Sequence, residues 1–168
     1  MPKPSSKYLS LTRAFCFLDS QMFDALSFVC ESYWHPGALP GRELLHKKMV
    51  AAGFEGPEVE AALGFLDGAA ISWALMPTEV RGMRVLTPVE IEALESDALA
   101  LWGQIVQSGL LDAVQREWVL ESIVLRTDDP VDAEALRVLI HLAFWVSGRF
   151  AENDLWEFVV SEPTACVQ

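Results

Sequence analysis

The chain has 168 residues, of which 52% are hydrophobic and 21% charged; this is enough apolar content for one substantial core and too much for a disordered chain. Its formal net charge is −12, concentrated at −11 in residues 90–168, against −3 in residues 22–89 and +2 in residues 1–21. Such a field disfavours nonspecific contact with nucleic acid or anionic membrane and favours a basic protein partner.

Three cysteines, Cys16, Cys30 and Cys166, are widely spaced and contain no CxxC pair, so neither a disulfide framework nor a zinc site is expected and a reducing cytoplasm fits best. The apolar run at residues 14–18 is too short for the core of a signal peptide. The most apolar stretch, residues 136–146, contains Arg137 and His141 and is too short for a membrane span.

Residues 1–21 have no clear period and read as a flexible or non-native N-terminal extension. From Met22, Phe23, Leu26, Val29, Cys30 and Tyr33 recur at helical spacing, and His35-Pro36-Gly37 stops that helix. A second helix is expected over residues 42–52, burying Leu44, Leu45, Met49 and Ala52, with Gly53 as its cap. A third starts at Pro57 and buries Val59, Leu63 and Leu66 before Gly68. Beyond it, Ile71, Trp73 and Leu75 alternate with smaller residues, and residues 83–86 form another short extended run across Pro77 and Gly82, which predicts a β-hairpin.

Thr87-Pro88-Val89-Glu90 is a capping box, the strongest local signal in the chain. It predicts one long helix to about Ser108, burying Ile91, Leu94, Ala98, Leu101, Trp102 and Ile105 and ended by Gly109. Asp112 caps the next helix, to about Arg126, with Val114, Trp118, Ser122 and Leu125 along one side. After a turn at residues 127–130, residues 132–147 are apolar on nearly every side, the mark of a central helix, and Gly148 closes it. A short helix over residues 152–160 and a tail at 161–168 complete the chain. The expected fold is mainly α: a winged helix-turn-helix-like unit with a short β-hairpin over residues 22–87, followed by a helical bundle over residues 88–160.

Several segments carry a family resemblance: MFDALSFVCESYW, ELLHKKMVAAGF, EVEAALGFLD, MRVLTPVEIEAL, REWVLESIVL and LRVLIHLAFW, in this order. Together they resemble the bacterial Smg family across most of residues 22–160. The resemblance implies a cytoplasmic bacterial protein whose gene often lies beside that of a DNA-processing protein used in transformation, and it implies no active site. This chain departs from the family in its residues 1–21 and in a short loop between Leu75 and Met83.

A winged helix reads DNA with the helix after the turn, yet here that helix offers Glu58, Glu60 and Asp67 to a polyanion. The basic candidates for nucleic-acid contact are Arg42, Lys47, Lys48, Arg81 and Arg84. His35, His46 and His141 lack metal-ligand spacing, and Asp128, Asp129, Asp132 and Glu134 read as a turn and helix cap rather than a calcium loop. No nucleophile motif or phosphate loop is present, so neither catalytic residues nor a cofactor or metal are expected. Six tryptophans exceed what packing requires, and Trp34 and Trp73, which flank turns, are the candidates for protein contact. The expected function is a non-enzymatic protein-protein interaction module, with a DNA-binding or DNA-processing accessory role as the alternative.

Overall fold

A computed structural model describes residues 20–33, 38–82, 84–126 and 129–149. Trp34, His35, Met83, Cys16, Cys166, the expected helix at 152–160 and the tail lie outside the described residues, as does all of the expected extension except residues 20 and 21. The helices in chain order are α1 (Ser20–Ser32), α2 (Arg42–Ala51), α3 (Gly56–Ala74), α4 (Pro88–Glu92), α5 (Ser96–Ser108), α6 (Ala113–Arg126) and α7 (Ala133–Ser147). α1 thus begins two residues before the expected start at Met22.

α7 is the centre. From Leu136 to Trp145 every side chain except Arg137 is buried, so no single face could have been left to water. Burying each large apolar side chain there contributes roughly 1.5–3 kcal/mol, and α1, α3, α5 and α6 together supply the cover. α1 also packs on α3, α2 packs on α3, and α4 packs on α6. The segments before and after residue 87 therefore share one hydrophobic core.

The expected helix ends are present where local chemistry dictates them. The Asp132 carboxylate accepts from the Ala135 amide at 2.8 Å, and Gly109 and Gly148 take the left-handed conformation, φ 68° and 65°, that lets α5 and α7 stop. Asp112 and Gln115 form a reciprocal box at the start of α6, with each side chain accepting from the other's amide at 2.8–2.9 Å. The Gln115 side-chain amide also donates to Ser147 Oγ at 2.9 Å, fastening the start of α6 to the end of α7.

Two expectations are corrected. The winged helix with its β-hairpin is not formed: the described residues contain no strand, and the supposed first strand, with Ile71 and Trp73, is the last part of the 19-residue α3. Gly68 does not end α3, because Gly68 and Ala69 are themselves buried against the core and Phe65 and Ala69 keep helical spacing there. Ser72 then accepts a hydrogen bond from Trp118 Nε1 at 2.9 Å, which ties this extra turn to α6. The chain leaves the helix only as Pro77 approaches, after the cap at Leu75.

The long helix expected from Thr87 to Ser108 is two helices. Its capping box is formed, with the Thr87 amide donating to Glu90 at 2.8 Å, but α4 lasts five residues. Ala93, Leu94 and Glu95 leave the helical path to form a parallel bridge with Val131: the Val131 amide donates to Ala93 at 2.9 Å and accepts from Glu95 at 2.9 Å through its carbonyl. Glu95 then takes the extended position just before α5, and Asp97 accepts from the amides of Ala98 and Ala133, so Glu95-Ser96-Asp97 is a second helix start. Among the residues expected to be buried, Leu44, Ala52 and Ile91 are exposed, as is Leu125, expected on one side of α6 with Trp118, whereas Leu45, Met49, Val59, Leu63, Trp102 and Ile105 are buried.

Burial of His141 in α7 lowers its pKa from 6.5 to about 4, since the imidazolium would have to leave water. The unfolded chain then binds the proton more readily, so this contribution is complete above pH 6.5 and is lost progressively as pH falls from 6.5 toward 4. The expected loss is about 3 kcal/mol, and denaturant melts at stepped pH should show it shrink in His141→Leu while the acid loss due to carboxylates persists.

Candidate functional site

α3 ends at Ala74 and α4 begins at Pro88, and the segment between them returns alongside α6. Arg84 holds it there. Its guanidinium donates to both Glu90 oxygens, at 2.9 and 2.7 Å, and also pairs with Glu117 on α6. Glu90 is buried, and the bidentate Arg84 contact, against the opposing effect of burial, keeps its carboxyl below the usual range, with the Thr87 cap adding to it. The same contact raises the Arg84 pKa.

Between this clamp and the ends of α3 and α6 lies a groove of about 780 Å³. Its apolar lining includes Leu75, Met76, Val80, Val89, Val124 and Leu125, and Glu117 and Glu121 also line it. Leu75 is 81% exposed, Leu125 64% and Val89 58%, so these side chains are not part of the core. Ile71, 64% exposed, stands one turn before Leu75 on α3. The groove was not legible from the sequence, because Leu75 reads as a strand residue and Leu125 as sharing one helix side with Trp118.

The five basic candidates do not form a common surface free of acid. Arg42 pairs with Glu60 at 3.1 Å and with Asp67, both on α3, and His46 lies 3.4 Å from Glu60. Arg81 pairs with Glu79 at 2.9 Å, and Arg84 is engaged as described. Lys48 sits 5.4 Å from the centre of the Tyr33 ring, a cation-π distance, and Lys47 is exposed with no acidic partner among the described residues. Trp73 is half-buried and packs against the core, and Trp34 lies outside the described residues.

Other chemistry-bearing groups do not converge. Among the described residues, no three His, Cys, Asp or Glu side chains are grouped to hold a metal ion. Burial pushes the Cys30 thiol up to about 12, which leaves it protonated and unreactive at neutral pH. No described helix is long and apolar enough to cross a membrane.

Fold and site together define a mainly helical protein with an acid-bordered apolar groove on its surface. The chain belongs to the family described as "Protein of unknown function (DUF494)", matched over residues 22–165. It is 33% identical over 129 residues to the Protein Smg homolog of Methylibium petroleiphilum, covering 76% of this chain and 86% of that one. The homolog of Leptothrix cholodnii is 34% identical over 130 residues with the same coverage, and that of Bordetella avium is 28% identical over 148 residues, covering 86% of this chain and 97% of the relative. No solved structure matches the chain.

Arg84 is the cation that offsets two carboxylates at the groove, so its removal leaves buried Glu90 with the Thr87 amide but no cationic partner. Arg84→Ala should lower stability by about 1–3 kcal/mol, less than for a fully buried pair because the arginine is partly exposed. Thermal melts check this; an unchanged midpoint would mean the clamp adds nothing to the fold.

Proposed function

We propose that this Smg-family chain is a non-enzymatic protein-interaction module working in the cytoplasm, and that its groove is the contact surface. The observation that carries the reading is the pair Leu75 and Leu125, large apolar side chains left to water, one just past the end of α3 and one in the last turn of α6, beside one groove. Exposed apolar residues that share a concave surface bordered by polar groups have the composition of an interface core and rim. Trp73, half-buried and packed against the core near the end of α3, is not among the residues that line this groove.

The DNA reading has less to draw on. Among the described residues no hairpin wing is formed to grip the backbone, and three of the five candidate cations, Arg42, Arg81 and Arg84, already face carboxylates. Phosphate binding gains from counterion release only where cations are available, which leaves Lys47 and Lys48.

Affinity purification of the tagged full chain from its own cells, with and without nuclease, separates the two. A stoichiometric protein is expected to remain bound after nuclease treatment. Recovery that depends on nucleic acid, and weakens steeply as salt is raised, would replace this reading with the DNA one.

A further inference from the structure

The geometry points to one kind of occupant for the groove, a basic amphipathic segment of a partner protein, and this assignment rests on the interaction-module reading above. The floor is apolar: Leu75 and Met76 from the end of α3, Val80 from the segment that follows, and Leu120, Val124 and Leu125 from α6. An occupant must therefore bring apolar side chains to displace water from Leu75 and Leu125.

Charge then selects among apolar occupants. Around the groove two arginines, Arg81 and Arg84, stand among four carboxylates, Glu79, Glu90, Glu117 and Glu121. Both arginines are already engaged by Glu79, Glu90 and Glu117, whereas exposed Glu121 has no cationic partner among the described residues. The next charge that the rim attracts is positive. A second copy of this chain would bring the same carboxylates and a net charge of −12, and a nucleic acid would bring phosphates; both meet repulsion here. A segment with leucine-like side chains on one side and Lys or Arg beside them satisfies floor and rim together.

The test uses two synthetic helical peptides of identical apolar spacing, one built from Leu and Lys and the other from Leu and Glu, titrated into the full chain by fluorescence anisotropy over a salt series. The Leu/Lys peptide should bind, more weakly as salt rises, and the Leu/Glu peptide should not. Leu75→Ser with Leu125→Ser should weaken binding by at least about tenfold. Glu121→Lys should weaken it by about three- to tenfold. Glu43→Lys, the same charge change at an exposed position of α2, should leave it unchanged. Melting curves of each variant confirm that it is folded.

Equal losses for Glu121→Lys and Glu43→Lys, or none for the double serine variant, would reduce the binding to diffuse charge attraction and overturn the assignment. So would binding of the Leu/Glu peptide, no binding of the Leu/Lys peptide, or a dimer in light scattering that the double serine variant dissociates. The two readings fail differently. A nuclease-resistant partner retained by the double serine variant sinks the groove assignment alone, whereas no partner retained by the unmodified chain sinks the interaction module itself.

Discussion

A helix that is apolar all round can exist in water only if other helices cover every side of it, and α7 imposes that condition on this chain. α1, α3, α5 and α6 meet it directly, while α2 and α4 form a second layer on α3 and α6. Both ends of α7 are also fixed by polar contacts. At its start, Val131 bridges to Leu94 beside the Asp132 cap, and at its finish Ser147 accepts from Gln115 of α6. Packing and hydrogen bonding thus act on the same element, and the positions of α5 and α6 follow from it.

The groove lies where the ends of α3 and α6 carry apolar side chains that the core does not cover. At 1.5 Å per residue, the 19 residues of α3 extend about 28 Å and the 15 of α7 about 22 Å, so α3 outruns the helix it covers. Its buried residues fall between Val59 and Ala69, and Ile71 and Leu75 lie beyond them. α6, at 14 residues, is no longer than α7, yet it too ends on an uncovered side chain: Trp118, Val119, Leu120 and Ile123 are buried, and Leu125 in the last turn is not. Two helix ends with unspent apolar side chains, joined across a segment clamped by Arg84, make a concave apolar surface.

Electrostatics gives the arginines of this region structural work. Arg42 bridges α2 to α3 through Glu60 and Asp67, and Arg84 links the segment before α4 to α6 through Glu90 and Glu117. Exposed pairs such as Arg42–Glu60 contribute little to stability, commonly below about 1 kcal/mol, but they neutralise the cations that a polyanion would need. The excess of acid over base elsewhere on the chain is left to repel like charge and attract its opposite.

The amino-acid sequence by itself determined the features that depend on neighbours within about one helical turn. The capping box at Thr87, the caps at Asp112 and Asp132, the glycine stops at 109 and 148, and the nearly all-round apolar character of α7 were legible, because capping and helical periodicity act over three or four residues. Membership of the Smg family was legible as well, from blocks spread along the chain. The tertiary structure decided what local rules leave open. Alternation at Ile71, Trp73 and Leu75 suggested a strand, but burial of Gly68 and Ala69 and the bond from Trp118, 46 residues away, kept that segment helical. The break after α4 required Val131, and the groove required the ends of α3 and α6 to meet. In each case the deciding partner is distant along the chain, and only folding brings it within reach.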